Sequence, residues 1–239
     1  MRQFLESLRA DGERFVTVVR STPLQTDVPT CPGWTLADLA QHMAYIHRWV
    51  TRAVVTAQRP PAEIPGPVDP TNDVLADHLR TGVDELVATL EAQEPDARTW
   101  HPFAAPLVVA VWPRRQAQET MIHRWDAENA ACRPGPLDPT IAADGILEFF
   151  ELIAPRVVDR DGRVAPKGVL RIECPDAGFV CTVSSGTTVD VELGDGVTAM
   201  PDATIAGRAE DVLLALWRRR SLDAEHRPLA DEWLRFGGN

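Results

Sequence analysis

Through its first 132 residues the chain repeats apolar positions at intervals of three and four, the spacing that lines one face of a helix. Phe4, Leu5, Leu8, Phe15, Val16 and Val19 predict a first helix over about residues 2–20. After "STPLQTDVPTCPGW", Thr35 stands as an N-cap with Asp38 three residues on, a capping-box pair built with the shorter acid. The helix it opens should run to about Gln58, because the prolines at 60, 61, 65, 67 and 70 cannot continue it. Val74, Leu75, Leu79, Val83, Leu86, Val87 and Leu90 predict a third helix over 72–92, and a fourth is expected from about Pro113 to Ala131. Four helices joined by short or medium connections predict a bundle.

After "CRPGPLDP" the pattern changes. "TIAADGILEFFELIAPRVVD" reads as one further helix. "GVLRIECP", "FVCTVSS" and "TVDVEL" are short runs rich in β-branched residues and broken by Gly, Pro and Asp, which predicts an antiparallel meander. Residues 208–220, "RAEDVLLALWRRR", return to helix. The predicted class is α+β: a four-helix bundle over residues 1–135 and a small α+β domain over 136–239.

Composition narrows the function. A net charge of −11 argues against a nucleic-acid partner, which needs clustered cations, and Arg218-Arg219-Arg220 is the one concentrated basic run. No apolar stretch approaches a membrane span, and the N-terminal residues lack a signal-peptide core, so a cytoplasmic protein is expected. Cys31, Cys132, Cys174 and Cys181 form no C-x-x-C pair and read as free thiols. Cys174 and Cys181 are the two that a hairpin could bring face to face.

Chemistry concentrates in the fourth helix, in "QAQETMIHRWD" over residues 116–126. Glu119 and His123 lie four residues apart and Asp126 three further, so all three share one side of a helix. Alone, such a pair reads as an ordinary ion-paired face. In the second helix, His42 borders a buried side marked by Leu39, Met43, Ile46 and Val50 and can point into the bundle. His47 is five residues beyond His42, about 140° around the axis, and reads as a surface residue or an outer partner of the site. His42, Glu119 and His123 together give the two-histidine, one-carboxylate set of a divalent-metal site with open positions.

"VPTCPGWTLADLAQHMAYIHRW" together with "ETMIHRWDAENAA" resembles the mycothiol-dependent maleylpyruvate isomerase family, within the wider DinB-like metal-binding bundles. "DATIAGRAEDVLLALWRRR" is similar to the closing segment of the family's sterol-carrier-like C-terminal domain, so the resemblance spans essentially the whole chain. The resemblance implies zinc ligands at His42, Glu119 and His123, with Asp126 as an outer partner of those ligands or a contact to the thiol cofactor. It also implies one arginine of Arg218, Arg219 and Arg220 in the catalytic cleft; a favourable helix C-terminus is the plainer use of all three. Cys31 reads as a packing residue before the helix cap, and Trp34 as an anchor of the turn or a wall of the cleft. The implied activity is that of a divalent-metal enzyme, zinc being the expected ion. Mycothiol would be its thiol cofactor or co-substrate, isomerising or S-conjugating a small electrophile. Two other readings stand beside it, a non-catalytic metal-containing module that binds a small ligand or a partner, and a hydrolase that uses the metal alone. A monomer or homodimer is expected.

Overall fold

In a computed structural model, residues 1–62, 64–186, 188–194, 200–222 and 228–237 are described. The chain forms two compact units, one of Met1–His101 with Pro106–Gly135, the other of Pro102–Ala105 with Pro136–Asn239.

The first unit is built from α1 (Arg2–Ser21), α2 (Leu36–Thr56), α3 (Asn72–Glu91) and α4 (Val111–Ala130). α1 packs against α3 and α4, and α2 against the same two, while α1 and α2 barely touch; the bundle therefore sets α1 diagonally across from α2. Phe15, Val19, Leu36, Leu39, Met43, Leu75 and Leu79 meet in its core, which removes from water the apolar stripes that predicted the helices. α2 opens with the expected capping box, the Thr35 side chain accepting from Asp38 N while Asp38 accepts from Thr35 N. It closes at Ala57 in the left-handed conformation, ahead of the prolines. α4 starts two residues earlier than expected, so Pro113 is its third residue, still within the first turn where a missing N–H costs nothing.

The second unit contains α5 (Pro139–Glu148), α6 (Ala154–Asp161), four strands, α7 (Ala209–Leu216) and α8 (Pro228–Phe236). The single helix expected over 140–159 is interrupted by a π-helical turn, Phe149–Ile153. Pro155 follows at once, and a wider turn accommodates a residue that has no N–H and crowds the carbonyl four residues back. β1 (Gly168–Cys174), β2 (Phe179–Ser185) and β3 (Val189–Leu193) form the expected antiparallel meander. β4 (Ala203–Ala206) then pairs parallel to β1, giving the order β3-β2-β1-β4. Leu170, Ile172, Val183, Ala203 and Ile205 are buried, and an aromatic group of Phe149, Phe150, Trp233 and Phe236 packs edge to face beside them. Cys174 pairs with Phe179 and Cys181 with Ile172, so the hairpin does not set the two thiols opposite each other. Both are free and buried, and burial pushes each thiol up to about 12.

The helix expected over 208–220 ends at Leu216, with Trp217 as its cap and Arg218 in the left-handed region at φ 61°. The three arginines thus follow the helix instead of forming its last turn. No described helix is long and apolar enough to cross a membrane.

Candidate metal centre

Helices α2 and α4 bring His42, Glu119 and His123 together, with one donor atom from each lying within 4.8 Å of the others. Nε2 of His42 is 3.8 Å from Oε1 of Glu119, and Nε2 of His123 is 3.6 Å from the same oxygen. The two imidazole rings stand edge to face with centroids 5.4 Å apart. These separations are too long for hydrogen bonds. They approach the roughly 3.3–3.6 Å that separates two ligands held about 2.0–2.2 Å from one tetrahedral ion.

Each outward-facing atom of this set on α4 already has a partner. Arg115, one turn before Glu119 and itself buried, donates to Oε2 of Glu119 at 2.5 Å. Nδ1 of His123 lies 2.9 Å from Oδ2 of Asp126, whose side chain is fully buried. In the neutral ring, with the Nδ1 proton on that bond, the Nε2 lone pair is left facing Glu119. Asp126 is held in turn by the Thr30 hydroxyl at 2.6 Å, and Cys31 Sγ is 3.6 Å from its other oxygen. The "PTCPGW" turn ahead of α2 therefore supports a residue on α4. Cys31 is half-buried and packs against the bundle core, as expected, and with His123 and Asp126 it forms a second group of close donor atoms.

The electrostatics favour ionised partners. Burial would raise the Glu119 carboxyl, but the Arg115 guanidinium and the two imidazoles outweigh it and hold the group well below the usual carboxylate range. For His123, burial works downward, and the hydrogen bond to Asp126, with Cys31 and the Glu119 carboxylate close by, outweighs it and pushes the imidazole well above its ordinary value.

Of the two places expected for His47, the surface is excluded. The residue is completely buried, its Nε2 lies 3.0 Å from the Thr120 hydroxyl on α4, and its Nδ1 has no hydrogen-bond partner among the described residues. Burial lowers it to about 3, so it is neutral at pH 7. The signal was positional: His47 is four residues after Met43 and three before Val50, inside the buried series of α2, where its polarity disguised it. Arg115 and Thr30 were missed as well. Arg115 had a visible cue, the (i, i+4) spacing to Glu119, whereas Thr30 is brought in only by tertiary folding.

Further along α4, Arg124 and Glu128 face α1. Arg124 Nε donates to Asp11 at 2.9 Å and its Nη1 to Glu128 at 2.9 Å. Arg14 grips the same Glu128 through two nitrogens, and the Gly135 N–H donates to it at 2.8 Å. Arg218, Arg219 and Arg220 belong to the second unit and line a pocket of about 410 Å³ there. Arg219 donates to the Trp217 carbonyl, and Arg220 pairs with Asp211 and Glu210.

Comparison with known proteins gives two adjoining matches. Residues 5–128 match the mycothiol maleylpyruvate isomerase N-terminal domain and residues 140–233 the C-terminal domain of the same family. Neither curated proteins nor solved structures give a match to the chain.

Proposed function

The chain belongs to the mycothiol maleylpyruvate isomerase family, and on that premise we propose that its four-helix unit is a divalent-metal enzyme that activates a thiol. His42, Glu119 and His123 are the ligands in this reading and zinc the expected ion. One observation carries it: three donor atoms converge at separations too long for hydrogen bonding, while Arg115 and Asp126 occupy the remaining polar atoms of Glu119 and His123.

When bound, a divalent cation with an open position lowers the pKa of a thiol placed there, so that the sulfur is a nucleophile near neutral pH. The protein's own residues do the rest. Asp126 holds the His123 proton on Nδ1 and fixes the ring's orientation. Arg115 keeps Glu119 ionised and leaves one oxygen for the ion. Thr30 fixes the Asp126 carboxylate. No serine or cysteine nucleophile is required, because the nucleophile arrives with the cofactor. Mycothiol is that cofactor in this reading. The substrate class is a small electrophile, either isomerised by addition and elimination of the thiol or retained as its conjugate.

The test begins with metal-stripped protein. It should take up about one zinc per chain, and saturating mycothiol should then raise its melting temperature, since a ligand of the native state stabilises it. His123→Ala should lose zinc uptake while keeping its helical circular dichroism. A wild-type chain that takes up no divalent ion overturns the metal reading. An unchanged melting temperature at saturating mycothiol overturns the thiol reading.

A further inference from the structure

Beside the metal-ligand set, and sharing His42 with it, lies a pocket of about 520 Å³. It is contained within the four-helix unit. Its walls are the turn before α2 (Trp34), the outer side of α2 (Gln41, His42, Tyr45), the Pro65-Gly66 stretch and His78 on α3. The volume suits a small organic ligand.

The chemistry of the wall selects among ligands. Two charged groups face the pocket, Arg48 and Asp38, and both are engaged. The Arg48 guanidinium donates to the carbonyls of Ala44 and His78, and Asp38 is held by the Thr35 cap. Tyr45 donates to the Ala62 carbonyl. The two charges are opposite in sign, and the other groups able to hydrogen-bond a guest are uncharged. The Gln41 amide and the His78 ring have no hydrogen-bond partner among the described residues. Burial, with Arg48 beside it, lowers the His78 pKa and keeps that ring neutral. Trp34 adds an aromatic surface, packed 5.0 Å from the His42 ring. A pocket with neutral donors and acceptors, one aromatic face and a cation offset by an anion suits a neutral, hydroxyl-rich molecule better than an anion.

We propose that this pocket is the subsite for the sugar portion of the thiol cofactor, whose sulfur is used at the adjoining metal ligand His42. The inference rests on the metal-and-thiol reading above and adds to it the residues that choose this thiol over a simpler one. Gln41 and His78 hydrogen-bond the hydroxyl groups, and Trp34 covers an apolar sugar face. The joining element is His42, which belongs to both the ligand set and the pocket wall.

The experiment compares two thiols on the zinc-loaded, full-length chain by calorimetry: mycothiol, and N-acetylcysteine, which carries a thiol and no sugar. Wild type should bind mycothiol at least tenfold more tightly than N-acetylcysteine. Gln41→Leu should remove most of that preference and leave zinc content and N-acetylcysteine affinity unchanged. Gly66→Leu, which adds a side chain at the pocket rim 3.8 Å from the Gln41 side-chain oxygen, should do the same by filling space. Equal affinity of wild type for the two thiols overturns the subsite, as does a mycothiol preference that survives both substitutions. Either result leaves metal uptake and simple-thiol binding intact, which separates it from failure of the metal reading, where wild type takes up no zinc.

Discussion

Helix α4 takes part in two charged clusters built from nearly the same residue types, and they behave in opposite ways. Around Arg124 the charges close on one another: Asp11, Glu128, Arg14 and the Gly135 N–H meet at hydrogen-bonding distances of 2.8–2.9 Å. Around Glu119, Arg115 and Asp126 close the outer side, and on the inner side Nε2 of His123 and Nε2 of His42 stand 3.6 and 3.8 Å from the same Glu119 oxygen. Saturation is what separates them. A buried charge whose hydrogen bonds are complete ties α4 to α1 and belongs to the fold. A half-buried set with complete outer bonds and incomplete inner ones leaves donor atoms unused by the fold, which is what the metal reading requires.

The contrast can be broken at either end. Arg124→Met leaves Asp11 and Glu128 as buried carboxylates deprived of a guanidinium, and should cost about 3–5 kcal/mol in urea unfolding of the metal-free chain. A loss below about 1 kcal/mol would mean that the lattice does not hold α4 to α1 and would erase the distinction. Asp126→Asn sharpens the other end. It removes the charge that orients His123, and zinc affinity, measured by competition with a coloured chelator, should fall about 10–100-fold. Unchanged affinity would show that Asp126 serves the fold alone.

The smallest effect concerns His47. Its pKa falls from 6.5 to about 3 on folding, so near pH 5 the unfolded chain binds a proton that the folded chain refuses. Its contribution to stability is complete above pH 6.5 and is lost as pH falls from 6.5 toward 3, by up to about 1.4 kcal/mol per pH unit. His47→Gln, which keeps an amide to reach Thr120, should flatten the wild-type slope between pH 6.5 and 5 by about that amount. Identical slopes in wild type and variant would overturn the assignment of a neutral, buried imidazole.

The sequence made some of this readable and some of it not, for identifiable reasons. Helical periodicity is a local property, and it located all four bundle helices and put Glu119, His123 and Asp126 on one side of α4. It could not tell which charged residue on that helix would be saturated, because Asp11 and Arg14 lie more than a hundred residues away from their partners. The surface alternative for His47 fails because an angle of about 140° from His42 still lies within the buried side of α2. In the second unit, β4 escaped because four residues, half of them alanine, carry little strand signal, and its pairing with β1 is non-local. The π turn escaped because one widened turn barely disturbs the apolar spacing of the helix around it.

The hydrogen bond between His47 and Thr120 has a further consequence. Glu119 and His123 are spaced by the helix that carries both, so their separation is fixed by covalent and helical geometry. His42 is on α2, and only the distance between α2 and α4 remains to be set. His47 is one turn beyond His42 in α2, and Thr120 directly follows Glu119. A neutral imidazole spanning the two helices at that level acts as a strut of fixed length beside the donor set. In the metal reading proposed above, the separation of His42 from the two donors on α4 is held in part by an uncharged pair outside the ligand set, so lengthening or shortening that strut is a direct way to alter which ion fits.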